Sequence, residues 1–217
     1  MKSILSTKKL SVAQKNLLLN ASLSLIEYNA ITTETIAFKL PKKDIKNVIF
    51  TSKNAVNALL GKIKAENCFC VGEKTAALLT ENGFHVQEIA DYGAHLAPIL
   101  IEKYSEEEFT FFCGNKRKDD IPNGLAANGI PFEEIQVYKT SLNPTKFKQD
   151  FDAILFFSPS GVQSYVSKNS LSNSLAFCIG TTTAAEAKKY TNDIVIANRP
   201  TIENVIVQVA NYFNKDE

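Results

Sequence analysis

The sequence predicts an α/β protein built from two doubly wound parallel-sheet domains. Three observations carry that prediction: an internal repeat about half the chain long, short apolar runs alternating with helical stretches, and two matching interruptions of the alternation. In the repeat, Cys70-Val71-Gly72-Glu73-Lys74-Thr75-Ala76-Ala77 aligns with Cys178-Ile179-Gly180-Thr181-Thr182-Thr183-Ala184-Ala185 at an offset of 108, with five of eight positions identical. Phe50-Thr51-Ser52-Lys53-Asn54-Ala55-Val56 aligns with Phe156-Phe157-Ser158-Pro159-Ser160-Gly161-Val162 at an offset of 106. Ser3-Ile4-Leu5-Ser6 aligns more weakly with Phe111-Phe112-Cys113-Gly114, and Tyr28 falls 110 residues before Tyr138. One such match arises by chance; several in one order imply a duplicated unit.

The alternation supplies the elements. Strands are expected at Ile4 to Ser6, Val48 to Thr51, Phe69 to Gly72, Val86 to Ala90, Phe109 to Gly114, Ile135 to Tyr138, Ala153 to Ser158, Leu175 to Gly180 and Ile194 to Ala197. Runs such as Ile154-Leu155-Phe156-Phe157 are apolar without a break, as in strands covered on both faces. Helical spacing covers Val12 to Leu25, Asn54 to Ile63, Lys74 to Asn82, Leu96 to Tyr104, Ile121 to Asn128, Val162 to Ser167, Thr183 to Tyr190 and Ile202 to Phe213. Gly83 and Gly129 follow helical runs as C-terminal caps.

The interruptions, Glu27 to Lys39 and Glu133 to Lys148, are rich in Thr, Ile, Tyr and polar residues and are closed by Pro41 and Pro144. They predict two extended strands joining the domains. The division expected is residues 1–28 with 148–217 as one discontinuous domain, 40–138 as the other, and linkers 29–39 and 139–147. A plain split into N- and C-terminal halves is the alternative. The discontinuous form is preferred because the first βα unit is too short to pack a sheet alone.

Composition narrows the function classes. With 45% hydrophobic and 22% charged residues the chain is an ordinary globular one, and 24 Lys plus Arg against 23 Asp plus Glu argue against nucleic acid as a partner. The N-terminus lacks an apolar stretch of signal-peptide length and no run is long enough to span a bilayer, so a cytoplasmic protein without a membrane partner is expected. Cys68, Cys70, Cys113 and Cys178 lie in apolar strands, where a free thiol acts as a small hydrophobe; one C-x-C with His85 and His95 far off is a poor zinc set, and no metal is expected. Walker, G-x-G-x-x-G, G-x-S-x-G and H-E-x-x-H patterns are all missing.

What remains is anion chemistry at strand ends. In open parallel sheets ligands bind beyond the strands' carboxyl ends. There the repeat places Thr51-Ser52-Lys53 and Ser158-Pro159-Ser160, and also Gly72 with Thr75 and Gly180 with Thr182 and Thr183. Helix N-termini carry unpaired N–H groups and the positive dipole end, which suits carboxylates or phosphates. Each hydroxyl alone reads more readily as a helix cap; the four together, duplicated across two domains, favour a polyanion site. Asn115-Lys116-Arg117-Lys118 after Gly114 adds basic residues at another strand end, with a solvated loop as its other reading.

Taken in order, Phe50-Thr51-Ser52, Val71-Gly72 with Thr75-Ala76, Gly114-Asn115 with Arg117, Val137-Tyr138-Lys139-Thr140, Phe157 to Val162, Ile179-Gly180 with Thr182-Thr183-Ala184 and Pro200-Thr201 resemble the scattered signature of uroporphyrinogen-III synthases. The resemblance spans nearly the whole chain. It departs from the pattern at Asn16 to Asn29, where the usual glycine and proline are missing. It implies two flavodoxin-like domains joined by a two-stranded ladder. It also implies hydroxymethylbilane as substrate, a cyclisation with loss of water and inversion of the last pyrrole ring, no metal or organic cofactor, and a monomer. Tyr138 is then the candidate proton donor, with linker packing as its alternative role. Lys8, Thr51, Ser52, Lys53, Gly72, Thr75, Gly114, Asn115, Arg117, Ser158, Ser160, Gly180, Thr182 and Thr183 are the candidate substrate-binding residues. The competing class is a two-domain sensor that binds a sugar phosphate or polycarboxylate without turning it over.

Overall fold

The computed structural model describes residues 1–214. The chain opens with β1 (Ser3–Ser6), α1 (Val12–Leu19), β2 (Ser24–Glu27) and β3 (Ile31–Thr35). It continues through β4 (Asp44–Phe50), α2 (Lys53–Leu59), β5 (Lys64–Val71), α3 (Glu73–Glu81), β6 (Val86–Ala90), α4 (Gly93–Lys103), β7 (Phe109–Gly114), α5 (Asp120–Ala127) and β8 (Phe132–Leu142). It closes with β9 (Ala153–Phe156), α6 (Pro159–Val166), β10 (Leu175–Cys178), α7 (Thr181–Ala187), β11 (Ile194–Ile196) and α8 (Ile202–Phe213). Two compact units result: unit 1 is Met1–Thr32 with the described residues from Ser141 on, and unit 2 is Thr33–Thr140. Among the described residues no helix is long and apolar enough to cross a membrane.

Unit 1 holds a five-stranded sheet in the order β11-β10-β9-β1-β2, with every pairing parallel. In unit 2 the parallel order is β8-β7-β4-β5-β6, and β3 adds itself beside β8 at the edge. The orders superimpose when β2, β1, β9, β10 and β11 are matched with β8, β7, β4, β5 and β6. This is the flavodoxin arrangement in both units, entered at a different strand in each. The folded unit therefore differs from the sequence repeat: leaving aside the edge strand β3, each sheet takes two strands from one repeat and three from the other.

Burial explains the unbroken apolar runs. In β9, Ile154 and Phe156 face one layer of unit 1 while Ala153 and Leu155 face the other. In unit 2, Val48, Phe50 and Phe112 pack under α2 and α3, whereas Ile49, Phe69 and Phe111 pack under α4 and α5. A strand apolar on both faces can only sit between helices, and truncating a fully buried Phe such as Phe156 to Ala costs about 3–5 kcal/mol. The four cysteines are free and buried in these strands. Burial pushes the Cys70 thiol up to about 11 and those of Cys68, Cys113 and Cys178 to about 12, so all four stay protonated and unreactive at neutral pH.

The expected helix from Val12 to Leu25 is corrected. α1 stops at Leu19 and residues Ser24–Glu27 form β2, paired in parallel with β1. The stop is a Schellman turn: Leu23 N–H donates to Leu18 C=O at 3.2 Å and Ser22 N–H to Leu19 C=O at 3.0 Å, with Ser22 at φ 55° and Leu18 and Leu23 both buried. The strands expected to run to Ser158 and Gly180 end at Phe156 and Cys178, because the following residues turn to cap the next helix.

Candidate functional site

In unit 2 strand passes to helix repeatedly along one edge of the sheet. After β4, Ser52 is extended (φ −156°, ψ 138°) and its Oγ accepts the Asn54 N–H at 3.1 Å, so this hydroxyl caps α2; Lys53 is exposed beside it. After β5, Gly72 takes φ 86°, a left-handed conformation that favours glycine, and starts α3. Its lack of a side chain leaves the Glu73 and Lys74 N–H groups facing outward without intrahelical acceptors. Thr75 is 5% exposed, turned onto the sheet and away from the rim.

The carboxyl ends of β7 and β4 flank the point where strand order reverses, and a cavity of about 220 Å³ lies there. Thr51, Lys116, Arg117, Asp120 and Tyr138 line it, with Tyr92 and Gly93 at the start of α4. A larger groove of about 860 Å³ opens at the opposite end of unit 2, around Phe38, Leu40, Lys43, Lys62 and Lys64. It lies at the strands' amino ends and gathers none of the candidate residues, so the smaller cavity is the candidate site. Tyr138 lies half-buried, its ring directly against Gly114. Asn115 and Arg117 are engaged within the protein. The Asn115 amide donates to Thr140 C=O at 3.1 Å and accepts the Thr140 N–H at 2.7 Å. Arg117 Nε donates to Glu134 at 2.7 Å, and its Nη1 pairs with Asp119. Lys116 and Lys118 are exposed, and among the described residues neither is paired with a carboxylate.

Unit 1 repeats the strand ends with different chemistry. Lys8 is exposed after β1, next to Thr7, whose Oγ1 donates to Leu155 C=O at 2.6 Å. Ser158 Oγ accepts the Gly161 N–H at 3.1 Å to cap α6, with Pro159 in the first turn and Ser160 half-buried. Gly180 starts α7 in an extended conformation; Thr182 is exposed, and Thr183 is 1% exposed. Tyr28, the counterpart of Tyr138, packs edge-on against Phe147 at 5.1 Å. Its hydroxyl is buried with no hydrogen-bond partner, and burial, reinforced by Tyr165, raises its pKa to about 12.

A family model described as uroporphyrinogen-III synthase HemD matches residues 15–206. The chain belongs to the uroporphyrinogen-III synthase family. The porphyrin biosynthesis protein HemD of Ruminiclostridium josui is 30% identical over 184 residues, which is 73% of this chain and 36% of that relative, so the chain spans little more than a third of its length. Uroporphyrinogen-III synthetase from Helicobacter pylori shares the fold at a TM-score of 0.72 and 21% identity, over 98% of this chain and 100% of that one. A mutant synthase from the extreme thermophile Thermus thermophilus does so at 0.70 and 14%, over 100% of both chains. In this uroporphyrinogen-III synthase family member the matched stretch contains every candidate residue except Lys8. Sequence reasoning missed Glu134 and Asp119, which hold Arg117, and Tyr92 and Asp120 in the cavity wall. The repeat carried no signal for them: at an offset of 108, Tyr92-Gly93 falls on Pro200-Thr201 with neither residue the same.

Proposed function

We propose that the chain is a uroporphyrinogen-III synthase, closing hydroxymethylbilane into uroporphyrinogen III with loss of one water. Family membership over residues 15–206 carries this reading. The strand ends supply what the reaction needs. The substrate's carboxylates require donors, and helix starts at Ser52, Gly72, Ser158 and Gly180 offer backbone N–H groups, with Lys8, Lys53 and the exposed Thr182 hydroxyl nearby. Thr51, Ser160, Thr75 and Thr183 complete the set, the last two by fixing helix starts from below. Gripping a flexible chain at several carboxylates folds it so that its ends meet, which is catalysis by positioning. The departing hydroxyl needs a proton. Tyr138, in the wall of the switch-point cavity, is the donor in this reading; water leaves, and the freed carbon bonds to the last pyrrole at its already linked carbon. The old link from that pyrrole to its neighbour breaks and re-forms at the pyrrole's free carbon, so that the ring is inverted and the macrocycle closed, and the proton released from that carbon restores the phenol. The chain acts without an organic cofactor or metal, as a monomer in the cytoplasm.

The test is to give the purified chain freshly prepared hydroxymethylbilane and separate the porphyrin isomers after oxidation. Type III product is expected. Only type I, the product of unassisted closure, would return the chain to the class of non-catalytic anion sensors.

A further inference from the structure

We infer that Gly114 and Asn115 form a seat that aims the Tyr138 phenol, acting on the reaction through that ring instead of by holding substrate. The inference rests on Tyr138 as proton donor. A register shift between Cys113 and Gly114 brings Gly114 opposite Tyr138 across the β7–β8 pair. A Cβ on Gly114 would stand 2.3 Å from Tyr138 Cε2 and Cζ and 2.8 Å from the phenol oxygen, where carbon atoms ordinarily approach to about 3.5–4.0 Å. Glycine is not required here by the backbone. The glycines at positive φ are Gly61, Gly72, Gly83 and Gly129, and Gly114 is not among them. It is required by the ring.

Two residues further along β8, the Asn115 amide makes the reciprocal pair of bonds with Thr140 that a neighbouring strand would make. The β7–α5 loop thus holds β8 at the phenol and again just beyond it. The underside of the ring rests on the buried cluster that contains Val137 and Phe112. A general acid works only when its proton lies within hydrogen-bond reach of the leaving atom, so a ring packed directly against a bare backbone keeps one direction.

The other repeat shows what happens without the seat. At an offset of 108, Ser6 stands in place of Gly114 and Thr7 in place of Asn115. Ser6 Oγ donates to Lys8 C=O at 2.5 Å and Thr7 Oγ1 to Leu155 C=O, so both hydroxyls are bonded to backbone carbonyls. Tyr28 leans on Phe147 with its hydroxyl buried and unpaired.

The experiment uses the full chain carrying Gly114→Ala, Gly114→Ser (which copies unit 1) or Asn115→Ala, each alone and combined with Tyr138→Phe. Turnover of hydroxymethylbilane is measured together with the ring-carbon NMR resonances of the chain's seven tyrosines. Either Gly114 variant should shift the Tyr138 resonance and no other, and lower kcat about tenfold with KM within about twofold, the range of a misaligned general acid. It should add no further loss to Tyr138→Phe. Asn115→Ala should give the same signature with a smaller drop. An unmoved Tyr138 resonance overturns the seat, as does a raised KM at unchanged kcat, which would return both residues to substrate binding, or a full loss on top of Tyr138→Phe. Normal turnover in Tyr138→Phe alone overturns the donor reading instead; the seat is then decided by the resonance, present if it shifts and absent if it does not.

Discussion

In unit 2 a tyrosine ring lies over a glycine at the end of β7; in unit 1 the matching β1 ends in Ser6, and the matching Tyr28 turns onto Phe147. The sheets have the same order and the helices start at the same places, so duplication preserved the architecture. What it did not preserve is the small residue that lets a phenol stand at the switch point. Helix-start geometry comes from backbone and survives sequence drift. A single aimed hydroxyl depends on one missing Cβ.

The same substitution made in both units tests that contrast most severely. Tyr138→Phe should lower turnover at least about tenfold, equal to about 1.4 kcal/mol of barrier, with little change in stability. Tyr28→Phe should leave turnover unchanged and raise stability by about 1 kcal/mol, since it removes a buried hydroxyl that has no partner. For a chain of this size that is about 2–4 °C in Tm. Equal losses of turnover from the two substitutions would mean the units contribute alike and the asymmetry is one of packing only.

A smaller difference lies at the other end of the same strands. In unit 1 Asp152 accepts from Ser3 N–H at 2.8 Å, Ser3 Oγ at 3.0 Å and Lys2 Nζ at 3.0 Å, tying β1 to β9. In unit 2 the joint between β7 and β4 is tied from the opposite partner, Glu107, which accepts from Lys46 and Asn47. The Ser3 backbone bond, then the Lys2 and Ser3 side chains, hold the Asp152 carboxyl below its ordinary 3.8 against the opposing effect of burial. A depressed folded-state pKa stabilises above the unfolded value and loses that stabilisation as pH falls through the folded one. Asp152→Asn should therefore cost about 1 kcal/mol at pH 7, toward the low end for a charged hydrogen bond at a partly exposed site, and nearly nothing well below pH 3.8. Glu107→Gln should cost less. Urea unfolding of both variants at the two pH values measures this; an Asp152→Asn cost that persists in acid would make its role steric.

The sequence carries the sheets because covered strands must be apolar on both faces, and it carries the strand ends because hydroxyls and glycines recur there at one offset. It does not carry the partners of those residues. Arg117 reads as a free cation until the parallel pairing of β7 with β8 sets Glu134 beside it. Asn115 reads as a ligand until the same pairing delivers Thr140. Thr75 and Thr183 read as rim hydroxyls, but both are third residues of their helices, where the helical period turns the side chain onto the sheet.

Turn chemistry gives the last contrast and the smallest predicted effect. Unit 2 turns at Gly61, Gly72, Gly83 and Gly129, all at positive φ, whereas the only non-glycine at positive φ among the described residues is Ser22 in unit 1. Gly83 and Gly129 close α3 and α5 with the bond pattern that Ser22 gives α1: Phe84 N–H reaches Leu79 C=O and Ile130 N–H reaches Leu125 C=O, each at 3.0 Å. That is why two helix ends are legible and the third is not. A side chain in the left-handed region costs about 1–2 kcal/mol, and glycine escapes it while losing part of the gain to the greater entropy of its unfolded chain. Ser22 is exposed and Leu18 and Leu23 fix the turn from beneath, so Ser22→Gly should raise stability by about 0.5 kcal/mol without touching turnover. The reverse change, Gly129→Ser, should lower it by a similar amount or more. Thermal unfolding of the two variants decides the matter: a destabilised Ser22→Gly would mean the serine itself holds the turn, and unit 1 would then owe the start of β2 to a side chain where unit 2 relies on backbone freedom.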